Sequence, residues 1–290
     1  MIKTQNTKKY ATDKIAFLGL FFLTILIAAI IVEARHNKPL KAGDDIIQKL
    51  KVNGIASYLK DKNAQQYFMV KNFRGQPFGF TTEQFDLTGP TTLPQINLKS
   101  LIYIKGQYGQ HQVVLFRGNN NIDFYEWNYK VAARAGSENL IITMDENQIL
   151  TIATLGQKSK EISFKLSRPA IPDAYLDFVL KQMINSKHEK IIVDVIQIDG
   201  QITPLLITKI GLLAPEGDKR AWQVLELRLL DSTGFTQRVF INNEGDIAKK
   251  VLPNEKIIME RTDINTILRQ FPKQSQYLLK NMEMLEQKQL

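Results

Sequence analysis

Few residues of this chain stand in patterns that could do chemistry. The three histidines, His36, His111 and His188, lie far apart, and no His-Glu-x-x-His or comparable ligand spacing joins them. Cysteine is absent, so disulfides, thiolate metal sites and cysteine nucleophiles are excluded. One Ser-x-x-Lys pattern runs from Ser57 to Lys60 in SYLKDKN. It lacks the Ser-Asp-Asn and Lys-Thr-Gly elements that accompany a penicillin-binding serine, and it reads as a surface coincidence. Ser137 in AGSENL has no strand-to-helix elbow to expose an activated hydroxyl and reads as a turn residue. Asp44 and Asp45 read as solvated carboxylates in a polar linker. Walker and Gly-x-Gly-x-x-Gly loops are missing from the sequence. No catalytic residue, metal ligand or cofactor is therefore assigned, and the chain reads as non-enzymatic.

Binding chemistry is better represented. Phe68 and Phe80 flank the first turn, and Trp222 and Phe240 lie in late hairpins. In DFYEWNY, Tyr125, Trp127 and Tyr129 alternate onto one strand face. Such a set either packs a core or lines a concave surface that holds an acyl chain or apolar peptide. These seven residues are the candidate ligand-binding set.

The elements that position them follow an uncharged run. Residues 15–32, IAFLGLFFLTILIAAIIV, carry no charge, and an eighteen-residue helix rises about 27 Å, close to a thin bilayer core. The run exceeds the usual signal-peptide h-region, so it reads as a retained anchor; a cleaved signal ending at Val32-Glu33-Ala34 is the rival. Lys3, Lys8, Lys9 and Lys14 precede it, which places residues 1–14 in the cytoplasm and the body in the periplasm or outside the cell. The expected location is a single-pass protein of the cytoplasmic membrane. The net charge of +9 comes from scattered residues with no arginine-rich run, and no nucleic-acid partner is expected.

Residues 33–64 read as a linker with a first short helix around Ile46, Ile47 and Leu50. Residues 65–290 form the body, as one unit or as two sub-units, 65–186 and 187–290. Hairpins are expected around Arg74-Gly75-Gln76-Pro77, Asp145-Glu146-Asn147 and Asn242 to Gly245. EISFKLS alternates as a half-buried strand with Ile162, Phe164 and Leu166 inward. After Pro172 the stripe Leu176, Val179, Leu180, Met183 predicts a helix capped by Asp173. Ile264, Ile267, Leu268 and Phe271 predict another after Thr262-Asp263, and Leu278, Met282 and Leu285 mark a last amphipathic segment. Short connections between strands imply antiparallel pairing. The fold expected is α+β: a transmembrane helix, then one large curved antiparallel sheet or two smaller ones, with helices against one face.

RVFINNEGDIAKKVLPNEKIIMER resembles the closing strands of the extracytoplasmic lipoprotein-carrier group, the LolA, LolB and RseB-like proteins, and YFMVKNFRGQPFGFTTEQFD is similar to a hairpin in the same proteins. The resemblance implies a concave sheet covered by helices whose apolar interior takes lipid or lipidated partners. The chain departs from that group in its expected anchor. Three functional readings follow. The first is a non-enzymatic extracytoplasmic subunit or scaffold of a membrane assembly, held to the lipid bilayer through residues 15–32 and to a protein partner by its body. The second is a carrier or sensor of a lipid or lipoprotein. The third is a hydrolase with a site assembled from distant residues.

Overall fold

The computed structural model describes residues 37–50, 65–88, 95–118, 121–132, 139–144, 149–155, 160–197, 201–213, 221–230, 236–242 and 245–276. The predicted span 15–32, Ser57 to Lys60, Ser137, His36 and the last amphipathic segment lie outside these. Among the described residues no helix is long and apolar enough to cross a membrane.

The described chain is a β-rich α+β fold. Helix α1 covers residues 37–50, helix α2 Leu176–Ile184 and helix α3 Ile264–Gln270. The strands run β1 (Gln65–Asn72), β2 (Pro77–Thr88), β3 (Gln95–Ile104), β4 (Gln107–Gly118), β5 (Asn121–Ala132), β6 (Asn139–Met144), β7 (Ile149–Leu155) and β8 (Lys160–Lys165). They continue with β9 (Ala170–Pro172), β10 (Lys190–Ile196), β11 (Ile202–Leu213), β12 (Trp222–Leu229), β13 (Thr236–Ile241), β14 (Ile247–Leu252) and β15 (Ile257–Thr262).

All fifteen strands join one sheet, in the order β8 to β1 and then β15 to β9. Neighbours are antiparallel except β9 and β10, which are parallel. The two halves meet where β1 pairs with β15, Tyr67 opposite Thr262 and Asn72 opposite Ile257. The order dictates the shape. Strands lie about 4.8 Å apart, so a flat sheet of this width would hold its edges, β8 and β9, about 67 Å apart. Only residues 166–169 link those edges, and the steps from Lys165 to Ala170 reach at most about 18 Å. The sheet therefore curls until its edges stand side by side. Among the described residues β8 and β9 share no ladder, so the closure keeps a seam.

The curl creates an inner face. Phe68, Leu98 and Leu150 from one half share a core with Val193, Leu205, Leu225, Leu227 and Val239 from the other. Helices α1 and α2 fill it through Ala42, Ile46, Ile47 and Leu50 and through Phe178, Val179, Leu180 and Met183. Gly43 lets α1 settle on β10, because a Cβ there would lie 1.9 Å from the Ile192 carbonyl oxygen. Arg168, in the link across the seam, clasps the same elements. Its Nη2 donates to Asp44 Oδ1 at 2.8 Å, and its Nη1 lies 3.5 Å from Asp194 Oδ1.

A second, smaller core lies on the opposite face, where Met69, Phe80, Leu101 and Tyr103 pack against Ile267 and Phe271. Helices thus cover both faces of the sheet, not one. The Asp263 side chain caps α3 by accepting from the Thr266 backbone N–H at 2.9 Å. Asp173 caps no helix: Asp173–Tyr175 form a 3-10 turn and Tyr175 precedes α2 without a side-chain cap. β8 also differs from expectation. As an edge strand it leaves Ile162 and Phe164 47% and 39% exposed, and only Leu166 is buried.

Candidate functional site

The aromatic set is not one surface. Phe68 alone of the described members sits in the inner core. Phe80 belongs to the opposite core, its ring 5.4 Å from Tyr103 and 5.5 Å from Phe271. Phe240 pairs with Val224 across β12 and β13. Strand alternation puts Phe240, Val224 and Trp222 on the face opposite Leu225, Leu227 and Val239. On β5, Tyr125, Trp127 and Tyr129 stand opposite Leu115, Val113 and His111 in the backbone register; their side chains lie outside the described residues. An aromatic-lined concave face is therefore corrected for Phe80, Trp222 and Phe240.

The concave space has aliphatic walls instead. Between α2 and strands β10 to β14 lies a cavity of about 330 Å³. Leu176 and Leu180 form its helical wall, and Val195, Leu205, Leu227, Leu229 and Val239 its strand wall. These residues point inward because each occupies the same alternating face of its strand, with Leu205 opposite Leu229 and Lys250 opposite Val239. A cavity of roughly 150 Å³ holds a benzene ring. By that scale this one takes about ten to twelve carbon atoms, at the small end of ligand pockets, which run from about 300 to 1,000 Å³.

The lining also includes polar residues: Asp173, Asp177, Gln197, Gln237 and Lys250. Lys250 Nζ donates to both Asp177 carboxylate oxygens at 3.1 Å. It also lies 5.4 Å above the Phe68 ring, in cation–π range. This bridge ties α2 to β14. Burial alone would lower the Lys250 pKa, but Asp177, Glu83, the hydrogen bond to Asp177, and Asp173 outweigh it and hold the ammonium above the ordinary lysine value. Glu83, on β2, responds oppositely. Burial raises its pKa; the Lys250 charge opposes that rise and the Asp177 charge adds to it.

Glu83 has polar neighbours on the inner face. It stands opposite Ser100 on β3, and Thr81 stands opposite Phe68 on β1. Thr81 and Ser100 are 4% and 6% exposed. Among the described residues neither hydroxyl has a hydrogen-bond partner. An orphaned buried hydroxyl costs about 1 to 3 kcal/mol.

The other sequence candidates gather no site. The His188 backbone N–H donates to Ser186 Oγ at 3.2 Å in the turn after α2. Asp44 is held by Arg168 and is not simply solvated. Among the described residues no group of acidic or histidine side chains could hold a metal. The sequence reading missed Lys250, Asp177 and Glu83. They lie on three elements, and no local spacing signals their meeting.

No protein-family model matches the chain, and no curated protein matches it. Among solved structures, a β-barrel-like protein of the domain of unknown function DUF1849 from Brucella abortus is similar, with a TM-score of 0.45 and 6% identity over 68% of this chain and 94% of that one. The class that the chain's own geometry defines is a β-rich α+β protein, built on one sheet that is antiparallel but for β9 and β10, with an inner cavity.

Proposed function

We propose that this is a membrane-tethered, non-enzymatic carrier or sensor that holds the hydrocarbon chain of a lipid or lipidated partner inside its curled sheet. The observation that supports it is the cavity of about 330 Å³ between α2 and β10 to β14, whose lining joins seven aliphatic side chains to five polar ones. A dry apolar chain enters such a space at a gain of about 25 cal/mol per Å² removed from water. The charge-free run 15–32 is the proposed tether, and it keeps the body beside the bilayer that supplies the ligand. The test is photolabelling of the full chain in nanodiscs with a diazirine-bearing twelve-carbon alcohol. Labelling should saturate and map to α2 and β10 to β14, and Leu229→Trp, which fills the cavity, should remove it. Labelling that never saturates, or that Leu229→Trp leaves unchanged, would overturn the reading.

A second reading, the scaffold of a membrane assembly, is favoured by the exposed Ile162 and Phe164 on edge strand β8. In that case Ile162→Lys should shift the protein from a larger complex to the free chain on native gels of solubilised membranes. An unshifted band would remove the support.

A further inference from the structure

The aliphatic lining of the cavity bears on a ligand's chain, and its polar lining bears on the head. Topology gathers the polar members at one end of the sheet. Gln197 follows the last residue of β10, and Gln237 is the second residue of β13. Three antiparallel pairings connect those strands, so the end of β10 and the start of β13 lie together. β9 runs parallel to β10, which brings Asp173 to the same end, and Asp177 follows in the first turn of α2. Lys250 stands close to the end of β14 that points the same way. The charged members answer one another. Lys250 Nζ donates to both Asp177 oxygens, and Asp173 is also engaged within the protein. Gln197 and Gln237 differ. Both are half-buried lining residues, and among the described residues neither side-chain amide has a hydrogen-bond partner. Each amide offers N–H donors and a carbonyl acceptor.

We propose that the ligand's head is an uncharged group that both donates and accepts hydrogen bonds, a glycerol ester or a carboxamide, held by the Gln197 and Gln237 amides. This rests on the cavity reading and narrows it to neutral-headed amphiphiles. An anionic head would meet the Asp173 and Asp177 carboxylates, and a cationic head would meet the Lys250 ammonium. No lining charge is left over to offset either one. A charge taken out of water without an offset costs far more than a neutral group that finds its hydrogen bonds. A simple alcohol meets the charge condition but brings one hydroxyl to two amides.

The experiment is competition against the diazirine-bearing twelve-carbon alcohol on the full chain in nanodiscs, at equal membrane concentrations of competitor. The competitors are 1-monolauroylglycerol, dodecanamide, dodecanol, dodecanoate and dodecylamine. The better of the first two should compete at least about tenfold better than dodecanol, which corresponds to about 1.4 kcal/mol, and the two charged amphiphiles should fall below dodecanol. Preference for monolauroylglycerol would identify a glyceride as the source, and preference for dodecanamide a fatty amide. Gln197→Leu and Gln237→Leu should each bring the preferred competitor toward the level of dodecanol. Gln237→Lys, which installs a cation without a partner, should make dodecanoate a better competitor than it is against wild type. A charged amphiphile that matches the neutral ones on wild type would overturn the neutral-head proposal and leave the cavity reading standing, as would dodecanoate competition that Gln237→Lys leaves unchanged. Labelling that never saturates, with failure of every competitor, would overturn both.

Discussion

Replacing Lys250 with Met removes the one cation that faces Asp177 and Glu83 from β14, while keeping a side chain of similar length. Removing one partner of a fully buried pair costs about 3 to 5 kcal/mol, and breaking an exposed pair costs about 0 to 1 kcal/mol. The Lys250 and Asp177 side chains are 12% and 24% exposed, between those limits and nearer the buried one. The expected cost is therefore about 2 kcal/mol, roughly 4 to 8 °C in Tm for a body of this size. Differential scanning fluorimetry of the full chain in nanodiscs reads the shift through Trp127 and Trp222. Adding Asp177→Asn to Lys250→Met should recover part of the loss, because the hydrogen-bonded carboxylate is then gone while Glu83 still lacks its counter-charge. The folded pKa of Lys250 is raised above its unfolded value. Its contribution is thus fully present at neutral pH and is lost as pH rises through the folded value. The deficit of the variant should accordingly stay constant from about pH 7 to 9 and fade in stronger base. A Tm within 1 °C of wild type, or a double variant no better than Lys250→Met, would refute the view of this bridge as the clamp on α2.

Glu83→Gln should raise the Tm at pH 7.5. Burial raises the folded pKa of Glu83, so its ionised form is penalised in the fold. The gain should vanish below the ordinary glutamate pKa of about 4.3, where both states are protonated; a lower Tm at pH 7.5 would contradict this. Gly43→Ala should detach α1 from β10, because its Cβ would meet the Ile192 carbonyl, and faster amide exchange in residues 37–50 would report it. Phe80→Ala should cost about 3 to 5 kcal/mol in chemical denaturation, yet leave photolabelling of the cavity intact in the folded fraction. Its ring belongs to the core under α3 rather than to the inner face.

How much of this was legible in the sequence depended on the range of the interaction. Local signals carried well. Asn72 accepts from the Arg74 and Gln76 backbone N–H groups in the first turn, Gly75 takes a positive φ there, and the Leu176 to Met183 stripe lies against the core. The stripe after Thr262-Asp263 likewise marked α3, Ile264–Gln270. Pairing of β1 with β15 joins residues nearly two hundred positions apart, and no local pattern encodes it. The alternation in EISFKLS indicates a strand with one apolar face, but burial of that face depends on what covers it, and β8 is an edge. The aromatic set misled for a related reason. Strand period sorts neighbours on one strand, whereas membership of the inner or outer face of a curled sheet is set by the register of all the strands between them. Lys250, Asp177 and Glu83 meet only once the curl exists.

The central claim is occupancy of the cavity by an amphiphile, and native mass spectrometry of the full chain released from nanodiscs tests it most directly. Wild type should retain a bound amphiphile adduct of defined mass, and Leu229→Trp should give the bare chain. Identical spectra for the two proteins, bare or equally decorated, would contradict the account.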